Sequence, residues 1–431
     1  MVIFSIFITL IFLYSLVSAK IERSILTAPI VFTGAGILAL DLLPELHEWK
    51  ADLPVLLHIA EAGLVLLLFT DASRTDLQLL SSIRKLPVRL LSTGMLLTIL
   101  LGALCALVLF PSFSIWEAGI LAAILAPTDA GLGQIIVNSP KVPMRIRQAL
   151  NVEAGLNDGL SVPFLLFFIG LVVKATEDHS LSLGRFIIEQ LGYGAGIGIG
   201  IGLVGGGLLA LARRKEWIAE SFLQLGVVAL PLLCALASET AAASMFIAAF
   251  VAGLAVQVGF KEAGKHAVEF TEEWGQILNL SVFFLFGILT ARRWHQFNGA
   301  LVAYAVLSLT VVRMVPVAIA LIGTRLSRTT VLFMGWFGPR GLASIVLALV
   351  YLEEAPNHPR TSAIELAVMV TVLLSIFAHG LSALPGISLY TSSIAHLSPD
   401  APEFKYGRPQ ADVEQPPLAA ATHKETTDEP R

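Results

Sequence analysis

Apolar residues run through this chain in long blocks, and polar residues are mostly confined to the short gaps between them. A hydrocarbon core about 30 Å thick needs about 20 helical residues to cross it. Windows of that size fall at 2–19, 24–43, 53–72, 87–110, 115–137, 147–173, 183–211, 218–237, 239–259, 271–291, 299–322, 329–352 and 364–386, which predicts thirteen transmembrane helices. The least distinct boundary separates spans eight and nine, where only Ser238-Glu239 interrupts the apolar run. The opening "MVIFSIFITLIFLYSLVSAK" resembles a signal peptide cut after Val17-Ser18-Ala19, but it lacks a positive n-region and is read as the first span. The expected class is an all-α polytopic membrane protein.

Composition agrees with the pattern. The 431 residues are 56% hydrophobic and only 14% charged, with a mean hydropathy of +0.79, far above soluble domains. The two cysteines, Cys105 and Cys234, both lie inside apolar runs, so no disulfide framework or CxxC site is indicated. Basic residues occur singly or in short groups between apolar runs, which gives nucleic acid nothing to bind. Counted over alternate connections, Lys and Arg number sixteen on one side, among them Arg84, Lys85, Arg89, Arg213 and Arg214, and six on the other. By the positive-inside rule this predicts an external N-terminus and a cytoplasmic C-terminus in the cell (inner) membrane. From about Leu397 the chain turns polar and Pro-rich, so residues 391–431 are expected to form a disordered cytoplasmic tail. Span seven carries glycines at spacing four in two sets, Gly192, Gly196 and Gly200 against Gly194, Gly198, Gly202 and Gly206. They suit either a dimer seam or close packing inside one chain.

Within spans, ionisable residues are costly and mark function by default. Those here are Glu61, Asp129, Glu153, Asp158, Arg313 and Arg340, with Glu365 and His379 nearer span ends. Span five contains "ILAPTDAGLGQ", where Pro127 removes a backbone donor and Gly131 and Gly133 weaken the helix, so Thr128 and Asp129 sit at a predicted break. Span twelve does the same with "GWFGPRGLASIV", in which Gly338, Pro339 and Gly341 bracket Arg340. Non-helical backbone at membrane depth needs protein or a water-lined cavity around it, and paired broken helices point to a transporter site. If spans one to six repeat as eight to thirteen, span five maps onto span twelve. That shift of seven spans inverts the second half, as an inverted repeat requires.

Span six holds both Glu153 and Asp158. Five residues apart on a helix, they point roughly 140° apart and cannot serve one site. Asp158, with Ala154 on its face, is expected to look into an ion path with Thr128 and Asp129. Glu153, with Asn157 on its face, is expected to meet a permanent counter-charge, for which Arg313 and Arg340 are available. Glu61 is either a hydrogen-bonded core glutamate or a further cation ligand.

The stretch "APTDAGLGQIIVNSPKVPMRIRQALNVEAGLNDG" with "GWFGPRGLASIV" downstream resembles the first-type cation/proton antiporters, the sodium/proton antiporters of the NhaP and NHE kind. The resemblance covers residues 1 to about 390. It implies an antiporter fold with two broken, crossing helices; a core of helices at about 87–173 and 299–386; and dimerisation helices at about 2–72 and 183–291 of a homodimer. It further implies that Asp158 of the Asn157-Asp158 motif binds cation or proton, that Thr128 and Asp129 are the pair in the broken helix, that Glu153 pairs with Arg313, and that Glu61 joins Asp158 and Thr128 around Na⁺. Such members often carry serine after the glutamate. Ala154 stands here instead, one oxygen fewer, and leaves the choice among Na⁺, Li⁺ and K⁺ open.

Desolvation raises a carboxylate's pKa toward neutrality, so a membrane-buried carboxylate can exchange a proton for a cation near pH 7. A bare charge resists passage through a closed, dry intermediate, whereas a carboxylate loaded with either ion does not. Neutral Asn157, where the electrogenic branch carries a second aspartate, favours one Na⁺ or Li⁺ per proton and no net charge moved; no cofactor is expected. The rival is a K⁺/H⁺ antiporter or K⁺ efflux system of the related second-type branch, which usually has an Asp-Asp pair. An intramembrane enzyme is not indicated, because His379 has no zinc-site or Ser-His partner pattern.

Overall fold

The computed structural model describes residues 2–21, 24–47, 52–75, 85–173, 183–260, 268–356 and 358–405. Helices fill every predicted window. They are α1 (Val2–Ile21), α2 (Ala28–Leu42), α3 (Leu53–Ser73), α4 (Lys85–Leu109, with a π turn at Leu90–Gly94), α5 (Ile115–Ile124), α6 (Ala130–Val137), α7 (Met144–Val173), α8 (Leu183–Arg214), α9 (Glu220–Thr240), α10 (Met245–Gly259), α11 (Glu269–Arg293), α12 (Gly299–Leu309), α13 (Val311–Ala320), α14 (Arg328–Trp336), α15 (Leu342–Glu354) and α16 (Thr361–Ile394). No strand occurs among the described residues. Of the loop cations counted above, Arg23, Lys50, Arg84, Lys174, Lys261 and Lys265 lie outside the described residues.

Polar residues in the gaps start the helices. Ser114 and Glu117 form a reciprocal capping box on α5, with Ser114 N donating to Glu117 Oε2 at 2.6 Å, which satisfies amides that lipid could not. Asn298 and Ser244 cap α12 and α10 through single bonds, their side chains accepting from Leu301 N and Ile247 N. Spans eight and nine part at residues 241–244, slightly later than expected, where Ala242 takes a positive φ of 48°. Span eleven is broken as well, at Thr310, which puts Arg313 in the first turn of α13.

Much of the packing lies within two sets of helices. In one, α11 packs on α2 and α3, and α10 packs on α3, α8 and α9. In the other, α5 packs on α4 and α7, α12 on α16, and α13 on α14. The sets meet where α15 lies against α3 and where α7 lies against α8 and α10. A Cβ on Gly198, Gly202 or Gly206 would collide with a carbonyl oxygen of α10, and one on Gly194 with that of its N-cap Ser244, so these four glycines allow backbone contact within the chain. Gly192, Gly196 and Gly200 face nothing within 4 Å. Large apolar side chains such as Phe4, Phe12, Val108 and Phe222 lie on the outside, the surface a bilayer solvates.

The tail departs from expectation. α16 runs on to Ile394, and residues Pro402–Phe404 form a further helical turn docked on the bundle. Glu403 is buried, accepting from Ser327 N at 2.7 Å and Thr330 Oγ1 at 2.9 Å, while Arg145 Nη1 donates to Pro402 O at 2.6 Å. Composition does not show this because a few residues of a polar stretch, among them Pro402, Glu403 and Phe404, supply the contacts. Residues 406–431 lie outside the described residues.

Candidate functional site

The site is assembled where two helices are interrupted. Pro127 cannot donate to the preceding turn, and α5 ends at Ile124; α6 starts only at Ala130. Across from it, α14 ends at Trp336 and α15 begins at Leu342. The two extended pieces touch, with Asp129 N donating to Pro339 O at 2.8 Å.

Three of the four helix ends at the breaks find a charge of the right sign. Asp129 Oδ1 accepts from Leu132 N at 2.8 Å, capping α6, and its Oδ2 accepts from Leu342 N, the first residue of α15. One carboxylate therefore satisfies two helix N-termini, whose partial positive charge favours it. Arg340 Nη1 donates to the carbonyls of Ala126 at 2.9 Å and Pro127 at 2.7 Å, at the C-terminal end of α5. Its backbone N donates to Ser375 Oγ at 2.6 Å. The glycines of "GPRG" make room for these charges, since a Cβ on Gly338 would strike the Arg313 guanidinium and one on Gly341 the Asp129 carboxylate. His379, fully buried, contacts Trp336 O through Nε2 at 2.9 Å and Ser375 through Nδ1, at the end of α14.

On α7 the two carboxylates diverge as their spacing predicts. Glu153 meets Arg313 twice, at 2.5 and 3.0 Å, with both side chains nearly fully buried. Arg340, the other expected partner, is directed instead to the α5 carbonyls. Asp158 is 3% exposed, and its Oδ1 has no hydrogen-bond partner among the described residues. Asn157 Nδ2 donates to Thr128 Oγ1 at 2.7 Å, tying α7 to the break in span five.

Asp158 borders a cavity of about 260 Å³ between α3, α6, α7 and α11, with Asp71, Asp129, Gln134, Glu272 and Asn279 also on its wall. At its rim Arg74 pairs with Glu272 at 2.6 Å, the arginine side chain being 37% exposed. Thr128 and Ala154 line a separate cavity of about 20 Å³, which Asp129 and Glu153 also border. That is about the space of one water.

A family model described as sodium/hydrogen exchanger, transmembrane, matches residues 3–382. This chain belongs to the sodium/hydrogen exchanger family. It is 28% identical over 313 residues to a Na⁺/H⁺ antiporter of Schizosaccharomyces pombe, covering 64% of this chain and 65% of that protein. It is 26% identical over 295 residues to Na⁺/H⁺ antiporter 2 of Zygosaccharomyces rouxii, covering 64% of this chain and 36% of that protein. The chain therefore spans between about a third and two thirds of the length of these two curated relatives. Its fold is similar to that of the sodium proton antiporter MjNhaP1 from Methanocaldococcus jannaschii, with a TM-score of 0.70, 17% identity, and coverage of 92% of this chain and 99% of that one. The matched relatives are transporters, and this exchanger-family chain is a multi-pass membrane protein.

Not every expected residue reaches the candidate site. Glu61 lies on α3 ten residues before Asp71, about 15 Å along the helix axis at 1.5 Å per residue, and it is not on the wall of the cavity. The charged groups that act on it are His58, Glu353 and Glu239. The acid that α3 does bring to the cavity is Asp71. It carries little signal in the sequence because it falls one residue from the end of the apolar window 53–72, although α3 is buried there at Phe69, Thr70, Ala72 and Ser73. Asn279, uncharged and inside span ten, carried no signal of cost. Glu365 pairs with Arg293 and serves to join α16 to α11.

Proposed function

We propose that this protein is a secondary active antiporter exchanging cytoplasmic Na⁺ or Li⁺ for a proton, one for one and without net charge movement, with Asp158 binding either ion in alternation. The observation that carries this reading is the contrast at one depth of the bundle. Glu153, Asp129, Arg313 and Arg340 each have hydrogen-bonding partners that offset their charge or fixed helix dipoles, whereas a buried oxygen of Asp158 has none and faces a cavity reaching the rim at Arg74. A group left uncompensated in low dielectric must take up a proton or a cation. Competition between those two for one carboxylate couples their fluxes.

In this reading Thr128 holds Asn157 and so orients the Asp158 turn, and Asp129 fixes the crossing while bordering the path. Asp71 takes the place on α3 assigned above to Glu61. The cavity rim, at the C-terminal end of α3 and the N-terminal part of α7, lies on the side that the loop charges assign to the cytoplasm, so the conformation is inward-facing. Helices at about 87–173 and 299–386 form the moving core. Those at about 2–72 and 183–291 form the dimerisation set of a homodimer in the cell membrane, with the N-terminus outside. A water in the small cavity beside Ala154 would supply the oxygen that a serine would otherwise provide.

The test is dequenching of a trapped pH dye in proteoliposomes pulsed with Na⁺, Li⁺ or K⁺, with and without a clamped voltage. The proposal expects Na⁺- and Li⁺-driven proton movement that voltage does not alter and that Asp158→Asn abolishes. Movement driven by K⁺ alone would assign the second-type reading, and exchange surviving in Asp158→Asn would overturn the mechanism.

A further inference from the structure

We propose that Asn279 supplies a cation ligand from α11 to the ion held on α7, an assignment that rests on the reading of Asp158 given above. Asn279 sits mid-helix in α11 and is 7% exposed, on the wall of the same cavity as Asp158. Its amide nitrogen is turned toward the first turn of α6, 3.4 Å from where a Cβ of Gly131 would lie. Its side-chain carbonyl oxygen is buried with no donor among the described residues. Asp158 Oδ1 is buried without a donor too. The cavity wall thus carries two unpartnered acceptors, one anionic and one neutral, an arrangement that is costly when unmet.

Most of the arginines of this region are engaged elsewhere. Arg313 is paired with Glu153, Arg340 with the α5 carbonyls and Arg74 with Glu272, whereas Arg147, on the same cavity wall, donates from Nη1 to Val137 O and keeps a buried Nε without a partner among the described residues. Water in the cavity can donate to either oxygen singly, whereas a small hard cation is what both can ligate at once, since carboxylate and amide carbonyl oxygens are its preferred ligand types. The ligand set is then divided. Asp158 belongs to a helix packed on α5, whereas Asn279 belongs to one packed on α2 and α3. Any movement of α7 relative to α11 therefore separates the two oxygens and weakens the site, so Asn279 contributes to affinity only in the conformation open at the Arg74 rim.

That sidedness is the test, because a residue needed only for packing would not show it. The full chain is reconstituted as wild type, Asn279→Ala and Asn279→Asp, and Na⁺-driven proton movement is recorded with Na⁺ presented to each face in turn. We expect Asn279→Ala to raise the KM for Na⁺ about tenfold, equivalent to ~1.4 kcal/mol of binding, at the face bearing the Arg74 rim. The KM at the opposite face changes much less, and Asn279→Asp, which keeps the oxygen, restores a low KM. An unchanged KM at the rim face, an equal rise at both faces, or a fall in maximal rate alone would overturn the proposal. If Asn279→Ala does not fold, Asn279→Asp carries the test: it binds Na⁺ at least as tightly as wild type at the rim face if the oxygen is a ligand, and weaker binding refutes the role. Failure here with Asp158→Asn still inactive leaves antiport standing, whereas no Na⁺-driven proton movement in wild type defeats the antiport reading itself.

Discussion

Glu153 and Asp158 are the same chemical group on the same helix, equally buried, and five residues apart. One is held by two hydrogen bonds to Arg313; the other has an oxygen with no partner at a cavity wall. Burial therefore does not distinguish a strut from an exchanging site. The partner does. The helical rotation between them sends one carboxylate toward α13 and the other toward α3 and α11, so a single helix carries a permanent charge pair and a variable charge without letting them neutralise each other.

The sharpest way to break the comparison is to remove each charge in turn. Asp158→Asn is expected to abolish Na⁺-driven proton movement while the protein retains its wild-type thermal unfolding in detergent, because the amide replaces a group whose charge nothing in the fold uses. Arg313→Ala should do the opposite first. It strands a buried carboxylate and should cost about 3–5 kcal/mol, read as a large fall in unfolding temperature. Replacing both members, as Glu153→Gln with Arg313→Gln, should recover much of that loss, and a double variant no more stable than Arg313→Ala would contradict the strut role.

Competition gives a graded version of the same contrast. If proton and Na⁺ share Asp158, the apparent KM for Na⁺ rises as pH falls, because protonation removes the binding form, while the maximal rate at saturating Na⁺ is preserved. A KM independent of pH with a falling maximal rate would place the titrating group outside the ion site.

The break in span five, the break in span twelve and the separation of Glu153 from Asp158 were all legible in the sequence. Each depends on local chemistry: a proline that cannot donate, glycines that weaken a helix, and a fixed rotation per residue. Other features depend on packing between distant segments. Asp71 and Asn279 reach the site only because α3 and α11 lie beside α6 and α7, and Glu61 fails to reach it because it sits almost three turns from Asp71 on α3. Arg340 looked like a partner for Glu153, yet the nearby C-terminal carbonyls of α5 compete for it and win. Thr310 carries no Gly or Pro of its own to announce the break in span eleven.

Two smaller effects sharpen the account at its edges. Glu403→Ala removes the carboxylate that accepts from Ser327 N and Thr330 Oγ1. About 1.5–3 kcal/mol is typical for hydrogen bonds to a charged group, so unfolding should come earlier and proteolysis near residues 395–405 should quicken, while exchange persists at saturating Na⁺. Ala154→Ser fills part of the small cavity beside Thr128. It is expected to shift the relative affinity for Na⁺ and Li⁺ only a few-fold, as one added neutral contact of ~1 kcal/mol would.

The central claim is that a single carboxylate trades a proton for a cation. It is tested most directly by adding Na⁺ to the purified protein in weakly buffered solution, near the pH of half-maximal exchange, and titrating the protons released. The account predicts release that saturates with Na⁺, never exceeds one proton per chain, and disappears in Asp158→Asn. Release of two protons per chain, or release that survives in Asp158→Asn, would contradict it.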